Sequence, residues 1–129
     1  ITVYGRADET RRINAPRELR GSRLVVLRDS VVAAWLKEKG LPAEEVKDNG
    51  IALRMLRAGR VDYWVANDLA ANFVIRADAS PAPRQLYSAG RIDLFIACHR
   101  ATDPAALNAL DAAIAQLRRG GELADFGMR

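Results

Sequence analysis

Residues 49–75, NGIALRMLRAGRVDYWVANDLAANFVI, contain the pattern that decides the fold. Apolar residues at helical spacing over 50–58 predict an amphipathic helix, which ends at Ala58-Gly59-Arg60. The apolar run over 61–66 follows at once and predicts a buried strand, after which residues 68–77 return to a helical pattern. A helix, a strand and a helix with such short connections are typical of the βαβ units of an α/β domain.

The same alternation continues on both sides of this stretch. Further strands are predicted at 1–5, 23–28, 45–48 and 92–97, with a weaker one at 85–88, and further helices at 30–39 and 103–119. Residues 15–21 predict a single helical turn. Several of the strands are nearly continuous apolar runs, which suit strands covered on both faces. The chain is therefore predicted to form an α/β domain with a mostly parallel sheet flanked by helices.

The composition argues against several classes of function. The chain has 129 residues and a formal net charge of +4, and no apolar run approaches the length of about 20 residues that a membrane-spanning helix needs. Its 17 Arg and 3 Lys are interspersed with 16 acidic residues along the whole sequence. Because a nucleic-acid site needs clustered positive charge, this spacing does not predict one.

Residues suited to catalysis or metal binding are few. Cys98 and His99 are the single cysteine and the single histidine, and they are adjacent. Neighbouring residues of a strand point to opposite faces, so these two do not form a nucleophile–base pair. Two soft ligands are also too few for a structural zinc site, and no phosphate-binding glycine motif is present. We therefore expect no catalytic residues, no metal and no cofactor.

Two strand ends have the form of a ligand site. Asp29-Ser30-Val31 follows the strand at 23–28, and Asn67-Asp68 follows the strand at 61–66. In an open parallel sheet, ligands bind outside the carboxyl ends of the strands, where helix N-termini present unpaired N–H groups. Both sequences are equally typical of plain helix caps, and the periodicity alone favours caps.

Five segments carry a resemblance to a known family. They are Leu19-Arg20-Gly21, Asp29-Ser30, residues 52–56, Gly59-Arg60-Val61-Asp62 and the tail DPAALNALDAAIAQLRRGGELADFG at 103–127. In this order they resemble the extracytoplasmic solute-binding proteins of family 3, the periplasmic binding components of polar amino-acid ABC importers. The resemblance covers nearly the whole chain. It implies a periplasmic-binding-protein-like lobe of type II, built on a mostly parallel five-stranded sheet flanked by helices.

The resemblance also implies a division of the chain. Residues 1–90 correspond to the second lobe of such a protein. Residues 91–129 correspond to the return strand and C-terminal helices that pack on the first lobe in the family, and that first lobe has no counterpart here.

The predicted helix at 103–119 has an apolar stripe formed by Leu107, Leu110, Ile114 and Leu117. Such a stripe is normally buried. We expect it to be covered either by folding back on the lobe or in a homodimer or segment-swapped dimer.

The candidate site can be compared with the family residue by residue. In the family, a Ser/Thr run at the first helix start holds the ligand's α-carboxylate, and an acidic residue before the last lobe helix pairs with its α-ammonium. Here Ser30 keeps its hydroxyl, but Val31 lacks one and Asp29 adds a negative charge. Asn67 stands at the ammonium-binding position, so either Asp68 takes that role or the ligand is not a standard α-amino acid.

The function implied by the resemblance is binding of a small polar solute, an amino acid or a related compound. Two lobes would close on the solute, and a partner ABC permease would receive it. The implied location is periplasmic, with any signal peptide outside this chain. Two alternatives stay open. One is a periplasmic sensor domain of a signalling receptor. The other is a cyclohexadienyl dehydratase-like enzyme with Asp29 or Asp68 as its carboxylate.

Overall fold

The computed structural model describes residues 1–78, 80–91, 93 and 95–123. Its elements, in chain order, are β1 (Thr2–Gly5), a 3-10 helix (Pro16–Leu19), β2 (Leu24–Leu27), α1 (Val31–Glu38), β3 (Glu44–Val46), α2 (Asn49–Arg57), β4 (Tyr63–Ala66), α3 (Asp68–Arg76), β5 (Arg84–Ser88) and α4 (Pro104–Gly120). The predicted strands and helices up to residue 88 are thus confirmed, with ends that differ by one or two residues.

The predicted strand at 92–97 is not found in the part of that range that the structure describes. Residues 93 and 95–97 belong to no strand, and residues 92 and 94 lie outside the described part of the chain. The side chains of Phe95 and Ile96 are 87% and 61% exposed. An apolar run alone does not form a strand, because a strand also needs a neighbour to pair with its backbone.

The five strands form one sheet in the order β3-β2-β4-β1-β5. β2 is parallel to both β3 and β4, whereas β1 is antiparallel to both of its neighbours, β4 and β5. Four strands therefore run in one direction and only β1 runs in the other. This arrangement confirms the predicted α/β fold with a five-stranded sheet flanked by helices.

Both faces of the sheet are covered by helices. Along β4, Tyr63 and Val65 belong to the apolar core beneath α1, and Trp64 and Ala66 belong to the core beneath α2 and α3. All four side chains are buried. This alternation explains why the strand is a continuous apolar run in sequence.

The Gly59-Arg60-Val61-Asp62 segment has a structural role at the start of β4. Arg23 Nη2 donates to Asp62 Oδ1 at 2.7 Å, and the Arg23 backbone N–H donates to Asp62 Oδ2 at 2.7 Å. Arg23 Nη1 also donates to the Arg60 carbonyl at 2.9 Å. Gly59 has a φ of 68°, in the left-handed region that glycine adopts most readily. These contacts join the end of α2 to the start of β2.

The chain divides into two compact units, Ile1–Arg91 and Ile92–Arg129. The first contains the whole sheet with α1, α2 and α3, and the second contains α4. Among the described residues, no helix has the length and apolar character that crossing a membrane requires. Whether the two units correspond to a second lobe and its closing helices stays a prediction.

Candidate functional site

The candidate site lies at the carboxyl edge of β2 and β4. These strands are adjacent and parallel, with Val26 opposite Val65, so the segments that follow them leave the sheet at the same level. α1 follows β2 on one face of the sheet, and α3 follows β4 on the other. The connections that follow these two neighbouring strands therefore turn to opposite faces of the sheet. Open α/β sheets bind their ligands in the crevice between such strands.

Ser30 caps α1 with its side chain, as predicted. Its Oγ accepts a hydrogen bond from the Ala33 N–H at 3.1 Å and donates its own proton to the Leu27 carbonyl at 2.7 Å. A ligand carboxylate would have to replace the bond to Leu27 to receive that proton. The backbone N–H groups at the start of α1 are therefore better placed as donors than the hydroxyl.

Asp29 and Val31 flank this cap, and both are exposed. Asp29 has a φ of 54°, which aspartate tolerates better than most residues. Val31 is 54% exposed and is the first residue of α1. Val31 offers no hydroxyl to a ligand at this helix start.

Asn67 caps α3 in the same way. Its Oδ1 accepts from the Ala70 N–H at 2.8 Å. The cap uses the amide oxygen and leaves both N–H donors of the side chain without a partner in the described part of the chain. Asn67 thus offers hydrogen-bond donors to a ligand but no charge.

Asp68 is the charged residue at the start of α3, and a buried tyrosine holds its carboxylate. Tyr4 Oη donates to Asp68 Oδ1 at 3.3 Å, from a side chain that is fully buried against Trp64. Burial raises the pKa of the Tyr4 hydroxyl strongly, and the negative charge of Asp68 raises it further, so Tyr4 remains a neutral donor. Sequence reasoning missed Tyr4, because it lies 64 residues from Asp68 and on the one reversed strand.

The structure brings all the predicted site residues to one edge of the sheet. Their arrangement supplies backbone N–H groups at the start of α1, and the Asn67 amide donors together with the Asp68 carboxylate at the start of α3. Within the described residues, no group of three or more His, Cys, Asp or Glu could hold a metal ion. Cys98 and His99 belong to the second unit, where His99 Nδ1 accepts from the Ala101 N–H. The role of the five residues in binding stays a prediction.

No protein-family model matches the chain, and no curated protein matches it. Solved structures do. A histidine kinase sensor domain with similarity to periplasmic binding proteins has 22% identity and a TM-score of 0.68, and the match covers 97% of this chain and 55% of that one. An ancestral arginine-binding protein bound to glutamine has 15% identity and a TM-score of 0.68, with 97% and 56% coverage.

Domain 2 of TmArgBP has 18% identity and a TM-score of 0.55, and the match covers 66% of this chain and 91% of that one. The chain therefore spans a little over half the length of the two longer structures and most of a single domain. At these identities the likeness shows the fold, a lobe like those of periplasmic binding proteins, and nothing finer.

Proposed function

We propose that this chain is a binding lobe for a small polar solute, an amino acid or a related compound, in an extracytoplasmic substrate-binding protein. One observation carries the proposal: Ser30 and Asn67 cap the helices that follow two adjacent parallel strands, and these helices, α1 and α3, cover opposite faces of the sheet. The likeness to an arginine-binding protein and to a single domain of TmArgBP supports it.

Asp68 is the group that we assign to a cationic or hydrogen-bond-donating part of the solute. One of its oxygens accepts from Tyr4, which holds the carboxylate in place and leaves the second oxygen available. Asn67 lies beside it as a neutral donor. A bond from an ammonium group to a carboxylate is about twice as strong as one between neutral groups, so Asp68 would dominate the contact.

Binding would proceed by closure of two lobes. Each lobe offers half of the contacts, so the solute stabilises the closed state by bridging them. We propose that an ABC permease receives the solute and that the protein works in the periplasm. Because this lobe supplies only one side of the site, we expect weak binding by the chain alone.

Variants that keep each helix cap separate binding from stability. Asn67→Ser retains a capping oxygen but removes the amide donors, and Ser30→Asp retains a cap but adds a negative charge where a carboxylate would sit. Asp103→Ser makes a comparable change at the cap of α4, in the other unit, and serves as the control. Thermal shift against a panel of amino acids, opines, organic acids and sugars measures binding, because a ligand of the folded state raises Tm.

The proposal predicts a solute that raises the Tm of the two-lobed protein containing this chain and of its Asp103→Ser variant. The shift should be lost in Asn67→Ser and Ser30→Asp, while the unliganded Tm changes little. A ligand whose shift survives both substitutions would contradict this location of the site. No shift across the panel, with a normally folded protein, would contradict solute binding itself.

A sensor domain of a signalling receptor is the second candidate. The match to a histidine kinase sensor domain over 97% of the chain favours it. Such a domain would bind its solute at the same edge of the sheet. Solute binding would then change the activity of a kinase joined to the domain and would not lead to uptake of the solute. Measuring kinase autophosphorylation and solute uptake with and without the solute separates the two candidates.

We propose binding without chemistry, so Asp29 and Asp68 have no catalytic role. Incubation of a bound solute with the protein should return it unchanged by NMR. Release of water or carbon dioxide that depends on Asp29 or Asp68 would favour the dehydratase-like alternative instead.

A further inference from the structure

Eight of the 17 arginines that are dispersed along the sequence lie at one edge of the sheet, opposite the candidate site. This edge holds the starts of β2, β3, β4 and β5 and the end of the reversed β1. Glu44 and Glu45 begin β3 at one side of it, and the rest of the edge lies around β1, β2, β4 and β5. We call it the amino-edge surface. It comprises eight arginines and four acidic residues: Arg6, Arg11, Arg12, Arg17, Arg20, Arg23, Arg60, Arg84, Asp8, Glu9, Glu18 and Asp62.

Backbone pairing and hydrogen bonds place these residues together. Gly5 lies opposite Arg84 at the end of β1, so Arg6 follows directly at this edge. Arg23 is bonded to Asp62 and to the carbonyl of Arg60.

The 3-10 helix brings its own arginines to the same edge. Arg11 donates to Tyr63 Oη at 3.3 Å and to the Glu18 carbonyl at 2.7 Å, which joins the segment before the helix to the start of β4. Arg20 is three residues from Arg23, hence within about 11 Å along the chain. Arg17 precedes Arg20 by three, the spacing at which side chains of a 3-10 turn share a face.

Each of the four acidic residues already has a partner. Asp8 pairs with Arg6 at 3.6 Å, and Asp62 pairs with Arg23 at 2.7 Å. Glu9 Oε1 accepts from two backbone N–H groups, at 2.9 and 2.8 Å, and Glu18 Oε2 accepts from the Asn14 N–H at 3.3 Å.

The side chains of four arginines of the amino-edge surface have no hydrogen-bond or ion-pair partner among the described residues. They are Arg12, Arg17, Arg20 and Arg60, and all are exposed. The excess of eight arginines over four acidic residues equals the formal net charge of +4 of the whole chain. At the carboxyl edge, by contrast, the three acidic residues Asp29, Asp48 and Asp68 outnumber the two basic residues Arg28 and Lys47.

We propose that the amino-edge surface binds an anionic phospholipid membrane surface through lipid phosphates. Within the first unit, the large apolar side chains that the structure exposes are Val31 and Phe73, and neither belongs to the amino-edge surface. A protein partner would need apolar anchors at the centre of an interface, and a single-stranded nucleic acid would need aromatic rings for stacking. The amino-edge surface carries dispersed positive charge and no such anchors. This property suits binding to an anionic lipid surface, which presents many mobile phosphate groups. This inference does not depend on solute binding.

Co-sedimentation of the 129-residue chain with vesicles tests the proposal. We expect binding to vesicles of phosphatidylglycerol and phosphatidylcholine at low salt, none to phosphatidylcholine alone, and release at high salt because exposed charges are screened. Each basic residue near an anionic surface strengthens binding by about fivefold, so Arg17→Gln/Arg20→Gln should weaken it by about 25-fold. Arg28→Gln/Lys47→Gln removes the same charge from the opposite edge and should change binding by less than about threefold.

Two results with vesicles would overturn the proposal, and so would one comparison with other polyanions. One is an absence of binding to phosphatidylglycerol vesicles by the wild-type chain at low salt, and the other is an equal loss in both double variants. Tighter binding to a single-stranded oligonucleotide or to polyglutamate than to vesicles would overturn it in favour of that partner. Circular dichroism confirms that each variant is folded before its binding is compared.

Discussion

Replacing Tyr4 by Phe removes one hydroxyl from the core and leaves the ring in place. The ring is fully buried, and its centroid is 5.1 Å from that of Trp64, so its packing is retained. The substitution therefore isolates the hydrogen bond to Asp68. It also tests whether the reversed strand β1 holds a residue of the candidate site.

The expected loss of stability follows from the geometry of this bond. A hydrogen bond to a charged group contributes about 1.5–3 kcal/mol. The Oη to Oδ1 distance of 3.3 Å is longer than that of an ordinary O–H···O bond, so we expect a loss below this range, about 1 kcal/mol. In a domain of this size, that loss lowers Tm by about 4–8 °C.

Urea unfolding followed by tryptophan fluorescence measures this loss, since Trp35 and Trp64 both lie in the first unit. The matched set is wild type, Tyr4→Phe, Asp68→Asn and the double variant, because the cycle removes effects that either side chain has alone. We expect a coupling energy of about 1 kcal/mol between the two positions. A coupling below about 0.3 kcal/mol would refute the reasoning, because unconnected sites add within that margin.

Three further predictions concern other parts of the chain. Hydrogen bonds from Arg23 lower the pKa of Asp62 in the folded protein, so the ionised Asp62 carboxylate stabilises the fold. This stabilisation is complete above the unfolded pKa of about 3.9 and is lost as the pH falls through the lower folded pKa. Asp62→Asn should therefore make the free energy of unfolding fall less steeply at acid pH. An unchanged fall at acid pH would contradict this prediction. Gly59→Ala should destabilise the fold by about 1 kcal/mol, because the φ of Gly59 is 68° and an alanine is strained there. The control Gly120→Ala lies inside α4 and should not destabilise the fold. Equal losses of stability in calorimetry would count against this explanation. No residue of α4 is buried, and the side chains of Leu107 and Leu117 are 36% and 38% exposed. We therefore expect a homodimer or segment exchange through this helix, which Leu107→Glu/Leu117→Glu should abolish. Light scattering that shows a wild-type monomer across micromolar concentrations would exclude it.

Local order along the chain was predictable from the sequence. Ser30, Asn67 and Asp103 each cap the helix that follows them, and each cap bonds to an N–H only two or three residues away. The apolar runs at β2 and β4 likewise predicted buried strands, since both faces of a central strand must be covered. Such signals depend on neighbours in sequence, so they are readable without a structure.

Apart from the strand predicted at 92–97, the sequence by itself therefore determined which segments are helices and strands, and it determined which residues follow β2 and β4. Only the tertiary structure decided what meets across long separations. β1 enters the sheet in the reverse direction, and this reversal places Tyr4 beside Asp68 and Arg6 at the amino edge. The eight arginines are dispersed in sequence but share one edge, because each precedes or begins a strand or follows the reversed one. Local interactions specify conformation, whereas strand pairing specifies which distant residues meet, and no periodicity in the chain records the order of the strands.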